Sequence, residues 1–239
     1  IIHSLMFKSL KKVFSIFLIF NLTFVSSAQA AASFVDSFDV SGQDATPRGL
    51  TFNNDGTKMF VVGNDGDDIN EYTLTTGFDV SSATFVDSLD VSDQDTGPVG
   101  IAFNNDGTKM FVVGNTGDDI NEYTLTTGFD VSSATFVDSF DVSGQDTAPK
   151  GIVFNNDGTK MFVSGNAGDD INEYTLSTGF DVSSATFVDS LDISDQDTGP
   201  VGIAFNNDGT KMFVVGNDGD DINEYTLSCP FKVTATSTC

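Results

Sequence analysis

Short apolar stretches separated by turn residues run along the chain, and after residue 30 none follows a helical period. In the first copy, residues 49–52 (GLTF) are apolar, and residues 57–62 (TKMFVV) are rich in β-branched and aromatic side chains. Asn-Asn-Asp-Gly between them is a strong hairpin signal. Residues 69–74 (INEYTL) follow a second turn, and residues 84–91 (TFVDSLDV) alternate apolar and polar positions. The pattern predicts four antiparallel strands and no helix.

This four-strand unit occurs four times, with the same spacing of 51 residues each time. The motif FVDSFDV, or its close variants, begins at Phe34, Phe85, Phe136 and Phe187. A period near 50 residues is typical of repeat arrays and propellers. Four antiparallel strands per repeat form one blade of a β-propeller. We therefore predict an all-β protein, a β-propeller of four blades built from 51-residue repeats.

The order of strands at the two ends predicts how the ring closes. Residues 34–40 copy the fourth strand of the unit, whereas the last complete strand, residues 222–227, copies the third. The N-terminal strand is therefore predicted to complete the last blade and close the ring. Since four is the low end of the usual blade number, the alternative is an open arc of a larger ring, or half of a dimeric one.

The segment PRGLTFNNDGTKMFVVGNDGDDINEYTLTTG, residues 47–77, resembles the secreted bacterial propeller repeats of the YVTN and NHL type. The shared features are a proline-glycine entry, an apolar strand, an Asp-Gly hairpin and a second strand of lysine, apolar, aromatic and valine residues. The resemblance covers nearly all of residues 34–228. It implies the blade structure and does not imply an activity.

The N-terminal segment has the features of a signal peptide. Residues 6–30 carry three lysines among their first seven positions, at Lys8, Lys11 and Lys12. A 13-residue apolar run follows, and the segment ends in Ala28-Gln29-Ala30. The apolar run is shorter than the roughly 18 residues of a membrane span, and the small residues fit a cleavage site. We predict upstream residues and a signal peptide over 1–30, a propeller domain over 31–228 and a tail over 229–239. The product would be secreted or periplasmic and not membrane-inserted after cleavage; a retained membrane anchor is the alternative.

The net charge of the chain limits the classes of molecule that it is expected to bind. All 35 acidic residues follow Ala30, where only seven of the ten basic residues remain, so the predicted mature chain has a net charge of −28. Such a surface repels nucleic acids and anionic membranes, and it attracts cations. The expected partners are an extracellular protein or a glycan, with no nucleic acid.

Histidine and cysteine usage restricts the chemistry further. The single histidine, His3, precedes the signal peptide, so Ser-His-Asp and Cys-His arrangements and histidine-ligated metals are excluded from the mature chain. The two cysteines, Cys229 and Cys239, lie together near the C-terminus. In an oxidising compartment they are predicted to form a disulfide that holds the tail, with a pair of free thiols as the alternative.

The loop GNDGDDINEY, residues 63–72, is acidic in every copy. The candidate cation ligands are Asp67, Asp68, Asp118, Asp119, Asp169, Asp170, Asp220 and Asp221. Asp44 of the preceding link is expected on the same face. Counted from Asn64 or from Asp65, the loop does not fit the ligand spacing of a helix-loop-helix calcium site. Asn-x-Gly supplies residues that accept a positive φ in a tight turn. We predict that this loop is a hairpin turn. A weak calcium site is the alternative, and no other cofactor is expected.

The near-identity of the repeats is also evidence against a catalytic site. Each carboxylate has near-equivalents in symmetric settings, which works against assigning one as acid and another as base. We therefore expect the chain not to be an enzyme but a secreted propeller that binds or scaffolds at the cell exterior, with repeated surfaces giving avidity. The alternative is a carboxylate-dependent hydrolase or lyase acting on a glycan or a lactone. The four lysines of the second strands, among them Lys58, are expected to be solvated partners of aspartates.

Overall fold

The computed structural model describes residues 34–234 and Cys239, and fifteen strands make up most of its regular structure. The first blade contains β1 (Pro47–Phe52), β2 (Lys58–Gly63), β3 (Asp68–Leu74) and β4 (Ala83–Asp90). The second contains β5 (Pro98–Phe103), β6 (Lys109–Gly114), β7 (Asp119–Leu125) and β8 (Ala134–Asp141). The third contains β9 (Pro149–Phe154), β10 (Lys160–Gly165), β11 (Asp170–Leu176) and β12 (Ala185–Asp192). The fourth contains β13 (Pro200–Phe205), β14 (Lys211–Gly216) and β15 (Ile222–Thr226).

Each blade is an antiparallel sheet whose strands pair in sequence order from the ring axis outward. The predicted all-β propeller of four blades is confirmed. The fourth blade has three strands, because residues 34–40, which were expected to supply its outer strand, pair with no sheet. The connections between third and fourth strands hold single 3-10 turns, absent from the strand pattern, at Val80–Ser82, Val131–Ser133 and Val182–Ser184.

The hairpin between β1 and β2 shows why the turn residues are needed. Asn53 closes the turn: its side-chain oxygen accepts a hydrogen bond from the Lys58 amide at 2.9 Å. Gly56 has a φ of 71°, and a Cβ placed there would lie 2.4 Å from the Phe78 ring. Only glycine avoids both the strain and the collision. The glycine of this turn therefore leaves the space in which the Phe78 ring packs.

The core lies between neighbouring blades. Phe60, Val62 and Ile69 of the first blade are fully buried and pack in one cluster with Met110 and Val112 of the second. Equivalent clusters join the second blade to the third and the third to the fourth. Because both faces of a middle blade are covered, its second and third strands are buried almost throughout, including the polar residues of the third strand.

In each of the first three blades, an ion pair with a buried glutamate connects the blade to the next one. The Lys58 Nζ lies 2.7 Å from Glu71 Oε1 and also donates to the Phe129 carbonyl of the next blade at 2.5 Å. The Val131 amide of that blade donates to the other Glu71 oxygen at 2.9 Å. The expectation that these lysines pair with aspartates is wrong. Lys58 and Phe60 lie on one face of β2, and Phe60 stands opposite Glu71 in the register, so the glutamate is within reach.

The C-terminal tail supplies the last of these interblade contacts. The Lys160 Nζ donates to the Phe231 carbonyl at 2.6 Å, and the Val233 amide donates to Glu173 at 3.0 Å. Cys229 and Cys239 are joined in a disulfide with a Cα–Cα distance of 5.4 Å. The tail residues therefore take the part that the connection between third and fourth strands takes in complete blades.

The ring has one open seam, between the fourth blade and the first. Leu50 of the first blade is 58% exposed, whereas its equivalent Ile101 is 8% exposed. On the fourth blade Ile222 is 71% exposed, whereas its equivalent Ile69 is fully buried. Phe38 packs edge-on against Tyr72 of the first blade, with ring centroids 5.4 Å apart, and covers part of that face.

Within the described residues, no helix combines the length and the apolar character needed to cross a membrane. The predicted signal peptide, residues 6–30, lies outside the described residues.

Candidate functional site: acidic hairpins and a basic cavity on the ring axis

The predicted cation ligands lie in the hairpins between the second and third strands of each blade. Asp67, Asp118, Asp169 and Asp220 have φ values of 51–52°, in the left-handed region. The expectation that the Asn-x-Gly residues take the positive φ is wrong, because the neighbouring aspartate takes it. Aspartate tolerates this conformation better than most side chains. Each following aspartate accepts a hydrogen bond from an asparagine two residues later, as Asp68 does from Asn70 at 2.6 Å.

A buried aspartate from the link before each blade holds this hairpin. Asp95 is almost fully buried and accepts hydrogen bonds from the amides of Gly97 at 2.5 Å, Thr116 at 3.0 Å and Gly117 at 2.5 Å. Its equivalents are Asp44, Asp146 and Asp197. Asp44 was expected on the face of the cation ligands, and its role in holding the hairpin was not predicted. The available signal was its constant position ahead of each proline-glycine entry.

The carboxylates of one copy lie close enough to influence each other. Burial, and then the charges of Asp44 and Asp90, raise the pKa of Asp68, against the Asn70 hydrogen bond. Among residues 34–234, no three carboxylates are placed together as metal ligands would be. The weak calcium site at these aspartates stays a prediction.

The copies are not electrostatically equivalent, contrary to the assumption behind the argument against catalysis. Burial raises the pKa of Asp119 and of Asp170 to about 6. These two aspartates belong to the middle blades, which are covered on both sides. Burial, and then the charge of Asp141, also raise the pKa of Asp118, while Lys150 lowers it. A cation that occurs in only some copies therefore distinguishes Asp118 from its equivalents.

These shifts predict a pH dependence of stability. A pKa raised above its unfolded value favours folding at low pH, and this contribution is lost as the pH rises from about 4 to about 6. We therefore expect Asp119→Asn to raise the free energy of unfolding at pH 7 by about 1 kcal/mol, a value reduced for the partial exposure of the group. The same variant should match the parent at pH 4. Urea titrations at both pH values measure this, with Asp93→Asn at an exposed site as the control for charge removal.

A polar cavity of about 520 Å³ lies on the ring axis, at the end where the innermost strands begin. It is lined by Pro47, Arg48, Val99, Lys150 and Val201, and by Asn64, Asn115, Asn166 and Asn217. The residues of the first group lie at the start of the innermost strands. Each asparagine directly follows the second strand of its blade. All four blades contribute to the cavity.

Arg48 and Lys150 place two positive charges in this cavity. They occupy the same position in the first and third copies, where the second and fourth copies have Val99 and Val201. The Lys150 Nζ donates to Asn115 Oδ1 at 2.5 Å. Burial, and then the charge of Arg48, lower the pKa of Lys150, which Asp146 and Asp118 partly oppose. Of the four ion pairs in the described part of the chain, none includes Arg48 or Lys150.

This cavity is not among the sites predicted from the sequence. Its signal was present: Arg48 and Lys150 are two of only seven basic residues after Ala30, and they are two repeats apart. The alternation of copies leaves one blade between them around the cavity. A site that carries positive charge in so acidic a chain can attract and hold an anion.

Comparison with known proteins identifies the fold. No family model and no curated protein sequence matches the chain. A protein of Bacteroides uniformis, provisionally named a 6-phosphogluconolactonase, is 14% identical with a TM-score of 0.56, over 75% of this chain and 50% of that one. The Pseudomonas aeruginosa periplasmic gluconolactonase PpgL is 14% identical with a TM-score of 0.52, over 75% and 49%. A chain of the nidogen/laminin complex is 17% identical with a TM-score of 0.54, over 78% and 62%.

The chain spans about half the length of the two lactonase structures that it resembles. At this identity the likeness shows the propeller fold alone. The expectation that the chain is not an enzyme is contradicted, because two structural neighbours with this fold are named as lactonases. The physical premise also fails, since Lys150 acts on Asp118, and burial raises the pKa of Asp119 and Asp170 to about 6 in the middle blades.

Proposed function

We propose that the axial cavity binds and hydrolyses a lactone that carries an anionic group. The observation that supports this most is the pair Arg48 and Lys150, free of ion pairs within the described residues, in a cavity of an otherwise acidic protein. The names of the structural neighbours point to lactones as the substrate class. The four asparagines can donate to and accept from the hydroxyl groups of a sugar lactone.

The chemistry asks for stabilisation of negative charge. Water adds to the lactone carbonyl, the ring oxygen leaves as the C–O bond breaks, and the product is a hydroxy acid with one additional negative charge. One cation holds the anionic substituent, and the other stabilises the oxyanion that develops on the carbonyl oxygen. A cavity that holds two cations from separate blades suits these two tasks.

A carboxylate is also needed to accept the proton of the attacking water and return it to the leaving oxygen. Asp118 and Asp146 both interact with the charge of Lys150. Asp146 is committed to the amides of Ala148, Ala167 and Gly168. We therefore assign the base to Asp118, because burial raises its pKa and makes it a stronger proton acceptor than an ordinary aspartate.

The variants Arg48→Val and Lys150→Val test the proposal without risk to the fold, because the second and fourth copies already have valine at this position. We expect the protein to hydrolyse a phosphorylated aldonolactone faster than its unphosphorylated analogue, after subtraction of the spontaneous rate. Each variant should lose about 100-fold in kcat/KM for the phosphorylated substrate. Lys232→Val, which removes a cation outside the cavity, should keep the parent rate.

Parent protein that hydrolyses neither lactone above background would contradict the lactonase proposal. A parent rate that both valine variants retain would contradict the cavity as its site. A calorimetric titration with inorganic phosphate separates binding from catalysis, since the parent should bind phosphate and both variants should bind it more weakly.

The place of action is also a proposal. The signal-peptide features of residues 6–30 support export, and the YVTN- and NHL-like repeat pattern is typical of secreted bacterial propellers. One structural neighbour is named as periplasmic. We therefore place the proposed hydrolysis in the periplasm or outside the cell.

A further inference from the structure

Two apolar faces border the seam of the ring. The leading face, on the first blade, lines an apolar groove of about 270 Å³; Phe38 and Val40 bury its Met59 and Val61, and Leu50 stays 58% exposed. The trailing face, on the fourth blade, is formed by Phe213, Val215 and Ile222, and it lines an apolar groove of about 300 Å³. Exposed apolar surfaces of this extent mark interaction sites in soluble proteins.

The repeats show what covers each of these faces. The trailing face of the first blade, Phe60, Val62 and Ile69, is buried against the leading face of the second. The same arrangement recurs at the next two junctions. The trailing face of the fourth blade therefore has the composition that packs on a leading face. Within the described residues, the first blade has the one leading face that is covered by residues 34–40 in place of a neighbouring blade.

The polar contacts of the seam are incomplete in the same way. Lys211 and Glu224 pair with each other, and Glu224 is about half exposed, whereas Glu71 is 2% exposed. No carbonyl or amide of a following blade completes this pair within the described residues. On the first blade, the Phe78 carbonyl and the Val80 amide stand where Phe129 and Val131 contact Lys58 and Glu71. The two faces thus match in hydrogen-bonding groups as well as in apolar surface.

The asparagine of the first turn provides a further matched contact. The Asn54 side chain donates to the Asn105 carbonyl of the next blade at 2.7 Å, and the contact recurs at the following two junctions. At the seam, Asn207 faces no such carbonyl among the described residues, and the Asn54 carbonyl is its counterpart on the first blade.

We propose that the trailing face of one chain docks on the leading face of a second copy, and that two copies close head to tail into a ring of eight blades. A heterologous contact of this kind closes when the rotation between subunits allows it. A second copy is the occupant because the two faces of one chain stay apart in the folded structure while each matches the other. This proposal does not depend on the proposed hydrolysis.

The mass of the purified chain, measured by light scattering after gel filtration, tests the proposal. We expect twice the mass of the single chain, and monomers for Val215→Asp and for Leu50→Asp. Val188→Asp is the matched control, because Val188 is as exposed as Val215, at 41%, but lies on outer strand β12 away from the seam. A monomeric parent, an assembly larger than two copies, or equal dissociation of the Val188→Asp variant would overturn the proposal.

A mixing experiment distinguishes docking between copies from closure within one chain. Val215→Asp keeps an intact leading face, and Leu50→Asp keeps an intact trailing face. Head-to-tail docking predicts that the two variants, each monomeric alone, form a one-to-one dimer through the one intact seam. Mixed variants that remain monomeric would refute the head-to-tail arrangement. Circular dichroism of each variant should match the parent, since both side chains are exposed within one chain.

Discussion

Replacing Asp95 by alanine is expected to lower the free energy of unfolding by about 4 kcal/mol, because three buried amides would lose a charged acceptor. These amides, of Gly97, Thr116 and Gly117, belong to the link and to the hairpin of the second blade. Each hydrogen bond to a charged group contributes roughly 1.5–3 kcal/mol, and the contributions are not additive. Water cannot readily replace the carboxylate, since Asp95 is almost fully buried.

Asp93→Ala is the matched control, because it removes the same charge two residues away from an exposed position. In a chain this acidic, loss of any carboxylate relieves some repulsion, and the control measures that gain separately. Urea unfolding followed by circular dichroism gives both free energies. Equal stability of the two variants would show that the hydrogen bonds of Asp95 do not hold the hairpin.

Replacing Glu122 by alanine should destabilise the fold by about 3 kcal/mol, because it leaves Lys109 partly buried without its partner. The Glu122 carboxylate lies 2.6 Å from the Lys109 Nζ and accepts from the Val182 amide of the next blade at 2.9 Å. The lysine side chain is 29% exposed, so water recovers part of the loss. The variant should also weaken the contact between the second and third blades.

Glu224→Ala makes the same change at the equivalent position beside the seam. There both partners are about half exposed, so the expected cost is below about 1 kcal/mol. Both changes should be made in a Val215→Asp background, which keeps the proposed interface between copies out of the measurement. A cost at Glu224 equal to that at Glu122 would mean that burial does not set the strength of the pair.

The strands and their number were predictable because each repeat carries its own turn residues between the strands. The Asn-Asn-Asp-Gly turn and the period of 51 residues suffice to place four sheets around an axis. The ring closure was not predictable from the order of strands. Phe38 and Val40 pack on the first blade as Leu89 and Val91 pack on the second, yet residues 34–40 pair with no strand. The alternating pattern predicts a strand there and does not specify whether a neighbouring strand pairs with it.

The candidate site was harder to predict, because its members are far apart in the sequence and few in number. The acidic hairpins attracted attention by repetition, yet repetition reflects structure when a residue such as Asp67 must adopt a left-handed conformation. The cavity residues Arg48 and Lys150 depart from the repeat instead. In an array of near-identical copies, the positions that differ between copies carry more information about function than those that agree.

The tail bears on how an array of this kind can change length. Because Phe231 and Val233 imitate the connection of a complete blade, every junction presents the same pair of surfaces. Insertion or deletion of a whole unit by unequal recombination would therefore create no new contact. The alternation of Arg48, Val99, Lys150 and Val201 adds a restriction, since a change by one unit would bring like neighbours together. Growth in steps of two units, 102 residues at a time, preserves both the packing and the spacing of the cations.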